Sequence, residues 1–119
     1  MEIKTKTTDY EMTVEVQSYL EEKLSATERF LAGDAGARCE VTLGRAASSS
    51  KHGDVWFVEC NVVQTGVDRI HAYARAETIT AAIDKAKDEL LQQLRKEKKL
   101  HIRMFRKGGA AIKKMMRWE

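Results

Sequence analysis

Residues 54–76 read DVWFVECNVVQTGVDRIHAYARA, and residues 78–94 read TITAAIDKAKDELLQQL. The first stretch alternates. Trp56, Val58, Cys60 and Val62 fall on one side of an extended chain and their neighbours on the other. Gln64-Thr65-Gly66 is a short turn containing glycine, so a hairpin is expected, with its partner strand over 67–76. In that strand Ile70, Ala72, Ala74 and Ala76 take the core side, and Arg69, His71, Tyr73 and Arg75 the other. The second stretch changes period. Thr78 is suited to cap a helix, and Ile79, Ala82, Ile83, Ala86, Leu90 and Leu94 recur at helical spacing. The alanines of the preceding strand leave room for that helix to lie close.

Working outward, residues 38–45 alternate as well, with Cys39, Val41 and Leu43 on one side. Residues 46–53 (AASSSKHG) are a loop by composition. Residues 2–8 (EIKTKTT) read as a first strand, with Ile3, Thr5 and Thr7 on one face and Lys4 and Lys6 on the other. Between these strands, Thr13 is a helix cap with Glu15 in the first turn. Val16, Leu20, Leu24, Thr27 and Leu31 continue as one helical stripe to a stop at Gly33. The order is strand, helix, strand, strand, strand, helix. The expected class is α+β, β-α-β-β-β-α, a four-stranded sheet with two helices packed on one face. The last helix is expected to run to about Lys107 and to break at Gly108-Gly109. Ala110 to Trp118 then form a basic amphipathic C-terminal helical tail, too short to be stable alone in water.

A chain of 119 residues, 43% hydrophobic, supports one core. The first ten residues lack the apolar run of a secretory leader, and no stretch approaches the roughly 20 apolar residues of a membrane-spanning helix. A cytoplasmic location is therefore expected. Cys39 and Cys60 read as buried free thiols. A cross-strand disulfide is the other reading, disfavoured in a reducing compartment. No cofactor and no metal are expected, because neither cysteine has further ligands at metal-binding spacing.

The net charge of +3 conceals an asymmetry. Arg95 to Glu119 holds ten Lys/Arg against two acids, a net +8, while the remainder carries −5. A basic end on an acidic body is a footprint for a polyanion, either nucleic acid or an anionic membrane. Catalysis has no comparable signal. No Gly-rich phosphate loop, HExxH or GxSxG occurs. Asp68 and His71, three apart on a strand, project to opposite faces. Asp84 and Asp88, beside Lys85 and Lys87, read as ordinary helix-surface pairing. The protein is expected not to be an enzyme and to have no small-molecule substrate.

Three stretches carry a resemblance. Thr78 to Asp84 (TITAAID) resembles the helix-opening DMYAAID of the ribosome hibernation promoting factor family, also called protein Y or sigma-54 modulation protein. Asp88 to Lys96 (DELLQQLRK) resembles that family's DKLERQLRK, and Glu21 to Phe30 (EEKLSATERF) looks like its EKKLSKLEKYF. The likeness covers roughly residues 1–100. It departs at Thr80, where the family has Tyr, and at Glu89 and Gln92, where the family has Lys and Arg.

The resemblance implies a factor that binds small-subunit rRNA in the mRNA and tRNA channel and inactivates idle ribosomes under stress or in stationary phase. The small ribosomal subunit would be its partner, with no membrane involved and a monomer when free. Long members carry a further C-terminal dimerisation domain, and this sequence reads as the short form. Residues 1–107 would be the ribosome-binding domain and 108–119 the tail. Lys23, Arg29, Lys96 and Lys99 match basic positions of the family, and Lys51 and His52 lie in a loop often basic there. The charge pattern adds Lys85, Arg95, Lys98, Arg103, Arg106, Lys107, Lys113 and Lys114 as RNA contacts. Tyr73, Phe105 or Trp118 are candidates to stack on an unpaired base. Two other readings stay open: a general double-stranded RNA-binding module, and a membrane-surface protein anchored by Ala110 to Trp118.

Overall fold

The computed structural model describes residues 2–31, 36–46, 55–66 and 68–106, with side chains through residue 97. The elements run β1 (Glu2–Thr8), α1 (Val14–Ser25), α2 (Glu28–Leu31), β2 (Arg38–Arg45), β3 (Trp56–Val63), β4 (Ile70–Ala76) and α3 (Ile79–Arg106). The four strands form one sheet in the order β1-β2-β3-β4. β1 and β2 are parallel because helical chain separates them. The β2–β3 and β3–β4 pairs are antiparallel. The expected α+β architecture is the one observed.

The alternation decides which face is covered. Cys39, Val41 and Leu43 of β2, Val58, Cys60 and Val62 of β3, and Ile70, Ala72 and Ala76 of β4 are all buried on one face. Against them lie Leu20 and Leu24 of α1 and Ala82, Ile83, Ala86, Leu90 and Leu94 of α3. The edge strand β1 contributes less: Ile3 packs on the core, while Thr5 and Thr7 are exposed. Tyr10 packs edge-on to Trp56 (centroids 5.3 Å apart), and the Arg45 guanidinium lies 5.0 Å above the same indole. These contacts tie the chain leaving β1 to the ends of β2 and β3.

Both expected caps form. Thr13 Oγ1 accepts from Val16 N–H at 3.2 Å, and Thr78 Oγ1 accepts from Ala81 N–H at 3.1 Å. Each satisfies one of the donors a helix start leaves open. α3 is described through Arg106, and the expected end at about Lys107 lies outside the described residues.

The first helix departs from expectation. The apolar stripe through Leu31 is interrupted, and α1 ends at Ser25. Ala26 N–H and Thr27 N–H donate three residues back, to Lys23 O (3.4 Å) and Leu24 O (3.0 Å), which tightens the last turn. Thr27 is fully buried, and its hydroxyl donates to Leu24 O at 2.6 Å. The short α2 then starts again. The expected stop at Gly33, the loop residues 47–54 and the tail from residue 107 lie outside the described residues. β4 begins at Ile70, so Asp68 and Arg69 precede the strand.

The free edge of β4 is covered from α3. Gln93 Nε2 donates to His71 O at 2.6 Å, and Lys85 Nζ to Arg75 O at 3.5 Å. At the other end of the sheet, Gly44 stands opposite Thr8. Its φ is +152°, and a Cβ there would lie 2.0 Å from Thr8 O. Only glycine lets β1 approach β2 at that point. Gly66 has φ +73° but open space around it. Gly44→Ala should therefore lower stability by at least about 2 kcal/mol, against about 1 kcal/mol for Gly66→Ala. Urea denaturation midpoints check the ranking, which fails if the two variants are equally stable.

Candidate nucleic-acid interface

Of the twelve Lys/Arg whose side chains are described, six lie on helices: Lys23 on α1, Arg29 on α2, and Lys85, Lys87, Arg95 and Lys96 on α3. Asp84 and Lys85 are adjacent in α3 and serve opposite flanks. Lys85 reaches the β4 edge, whereas Asp84 faces α1. There Tyr19 Oη donates to Asp84 Oδ1 at 2.7 Å, and Lys23 Nζ lies 4.0 Å from the same oxygen. The Lys23 ammonium also sits 5.2 Å from the Tyr19 ring centre. The hydrogen bond to the Asp84 carboxylate, reinforced by burial, raises the Tyr19 hydroxyl above the ordinary tyrosine range. Lys23 is thereby held at the seam between α1 and α3 and is not a freely swinging surface lysine.

Asp84 thus corrects one expectation. Read from spacing, Asp84 and Asp88 were both ordinary surface pairs. Lys87 Nζ does meet Asp88 Oδ1 at 2.9 Å, but Asp84 bonds across to α1. No sequence spacing within α3 reports that contact. It needed the packing of two helices 65 positions apart.

The other predicted residues fall into three groups. Arg29, exposed on α2, lies 4.9 Å over the Phe30 ring. Arg95 and Lys96 are exposed on α3 and form no ion pair among the described residues. They lie about 16 Å along the helix from Asp84, so the seam and the exposed pair are separate patches on one rod. Lys98, Lys99, Arg103 and Arg106 belong to the same helix, with side chains outside the described set. Lys51, His52, Lys107, Lys113 and Lys114 lie outside the described residues altogether, as do the tail and Trp118.

The opposite, helix-free face of the sheet also carries aromatic and ionic pairs. Phe57 and Tyr73 stack across β3 and β4, centroids 6.0 Å apart and planes 22° apart. His71 Nε2 lies 3.0 Å from Glu59 Oε2. The sequence reading placed Tyr73 on this face but missed Phe57. The signal was available in the strand register, which sets Glu59 opposite Tyr73 and Phe57 one step diagonal.

Buried Cys39 and Cys60 are free. The hydrogen bond between the two thiols, together with burial, pushes Cys60 far above the usual thiol range. Among the described residues no cluster of His, Cys, Asp or Glu could hold a metal ion. No described helix is long and apolar enough to cross a membrane.

Comparison with known proteins bears on this arrangement. The model of the family described as Sigma 54 modulation protein / S30EA ribosomal protein matches residues 3–101. The chain is similar to the protein Y N-terminal domain of Thermus thermophilus. That match has 26% identity and a TM-score of 0.66, covering 81% of this chain and 98% of that one. It also resembles a ribosomal subunit interface protein from Coxiella burnetii, at 18% identity and a TM-score of 0.67, over 82% of this chain and 98% of that one. The second likeness is one of fold alone. No curated protein sequence is similar enough to match.

The seam is testable by coupling. Tyr19→Phe and Asp84→Asn should each lower the urea midpoint, and the double variant should fall little below the worse single. Additive losses would mean the two side chains act separately. Because the folded hydroxyl titrates above its unfolded value, the bond's contribution is intact below the ordinary tyrosine pKa. It is lost as pH rises through the folded one. The deficit of Tyr19→Phe relative to the parent should therefore shrink in strong alkali.

Proposed function

This chain belongs to the Sigma 54 modulation protein / S30EA ribosomal protein family, and on that footing we propose that it is a ribosome hibernation factor. In this reading it binds small-subunit rRNA in the mRNA and tRNA channel and holds idle ribosomes inactive under stress or in stationary phase. It works by occupancy, as a cytoplasmic, ribosome-associated monomer that needs no cofactor and performs no catalysis.

One observation carries the reading beyond family membership: the placement of charge along α3. The first part of the helix is bound to the sheet through Ala82, Ile83, Ala86, Leu90 and Leu94. The exposed Arg95 and Lys96, which form no ion pair among the described residues, come next, and the segment that begins there holds the +8 surplus. A rigid body with a basic projection recognises a structured, phosphate-lined cleft by shape, without reading bases. Each neutralised phosphate releases counterions, which makes the interaction strong at low salt and steeply dependent on salt.

In this reading Lys23, Arg29, Lys96 and Lys99, which match basic positions of the family, contact rRNA. With Glu89 and Gln92 where relatives carry basic residues, the electrostatic work moves along the chain. It falls to Arg95, Lys98, Arg103, Arg106 and Lys107, and to Lys113 and Lys114 of the tail. Lys51, His52 and Lys85 complete the assigned contacts. Residues 1–107 form the ribosome-binding domain in this scheme, and 108–119 an auxiliary basic segment.

Sedimentation of the protein with separated subunits, followed by a translation assay, tests the proposal. Under mild ionic conditions it should travel with the small subunit and inhibit translation. Remaining at the top of the gradient, or binding bare RNA duplexes equally well without inhibiting translation, would refute it. Affinity should fall with a log–log salt slope of about −4 or steeper. Reversal of both Lys96 and Lys99 to Glu should make that slope shallower by about 2, with circular dichroism unchanged. Removing residues 108–119 should weaken association without abolishing it.

A further inference from the structure

The contacts proposed above lie on the helices, in the tail and at residues 51–52, and none is on the helix-free face of the sheet. We propose that this helix-free face is a second RNA-contact surface, on which an unpaired nucleobase stacks against the Phe57–Tyr73 pair. The occupant is single-stranded RNA.

Three features lead there. The first is the aromatic pair itself. Every described helix packs on the opposite face, so no described helix covers these rings, and Arg75 stands beside Phe57 in the register. Tyr73 is 43% exposed, one of two large hydrophobic side chains so exposed among the described residues. A cross-strand aromatic pair helps hold two strands together. It also presents a flat, preformed π-surface, and every base has a matching face.

The second feature is charge. Each acid on this face has a basic neighbour: Glu2 with Lys4 at 3.8 Å, Glu40 with Arg38 at 3.5 Å, and Glu59 with His71 at 3.0 Å. Glu2 and Glu40 are therefore each offset by a permanent cation, while Glu59 shares a hydrogen bond with the His71 imidazole. Lys6, by contrast, forms no ion pair among the described residues, and it shares a register row with Tyr73 through Thr42 and Glu59. The third feature is relief. Thr42, next to Lys6 in that row, is small, and Glu59 stands between it and Tyr73. The row thus steps from the lysine over a short side chain to the Glu59–His71 pair beside the rings. The backbones of β1 and β4 lie about 14 Å apart. A lysine reaching inward from one and a ring from the other bracket a single nucleotide, phosphate at one end and base at the other.

A duplex offers no free base face, so the surface selects unpaired strands. The experiment is an anisotropy titration of the full chain at low salt with labelled single-stranded oligoadenylate, and with a duplex of the same length. Tyr73→Ala should weaken binding of the single strand by about fivefold or more. Tyr73→Trp should preserve or tighten it, and Lys6→Glu should weaken it. Binding of the duplex should not change with Tyr73→Ala. Any of three results would overturn the proposal: no binding of the single strand, an unchanged affinity in Tyr73→Ala with native circular dichroism, or equal losses for strand and duplex. Reversal at Lys96 and Lys99 provides a separate arm. Its effect on ribosome sedimentation reports the helical contacts alone, so failure of one surface is distinguishable from failure of the other.

Discussion

The closeness of α3 to the sheet is the constraint on which the molecule rests. Ala72 on β4 and Ala82 and Ala86 on α3 have no exposed surface. Small side chains at those places let the helix axis approach, and the larger Ile83, Leu90 and Leu94 then fill the space on either side. Close packing of this kind fixes direction as well as position, because interiors resist small displacements. The helix reaches Arg106, 12 residues beyond Leu94 and so about 18 Å farther on. Its course is set by the packed part, since the later residues continue a backbone already aimed. Charge at the far end is delivered along a fixed line.

The fold was largely legible because period and core coincide. In β2 and β3 the alternating residues named from sequence are the buried ones, apart from the half-buried Trp56, and the stripe of α3 is the stripe that packs. The helix caps were legible because threonine at a helix start satisfies backbone donors locally. What could not be read was any feature set by distance in space. The helical stripe continues through Thr27, so periodicity alone predicted one helix. The break comes from a buried hydroxyl returning to the backbone of its own last turn. Gly44 sits in an alternating run and drew no notice. Its necessity appears only when β1 comes alongside and brings Thr8 O to the place a Cβ would occupy.

The candidate site divides in the same way. A surplus of cations is a property of composition, and Arg95 and Lys96 stand exposed as the sequence suggested. Lys23 was named from the resemblance, but its setting between a phenol ring and a carboxylate on another helix was not. Charge counting treats every lysine as equivalent, whereas packing distinguishes a tethered ammonium from a free one. The open sheet face was half legible: alternation assigns Tyr73 outward, and only the pairing register supplies Phe57 beside it.

The two borders of the sheet are guarded by different means. Along β4, two outward carbonyls are already occupied by amide and ammonium groups from α3. β1 instead relies on Lys4 and Lys6, whose like charges disfavour the approach of a second strand bearing the same pattern. Strand borders left bare are where chains join into insoluble sheets. A polypeptide that must stay dissolved gains from having both borders guarded. The glutamine and lysines that do this lie outside the hydrophobic core, so their worth would show in shelf life more than in melting temperature.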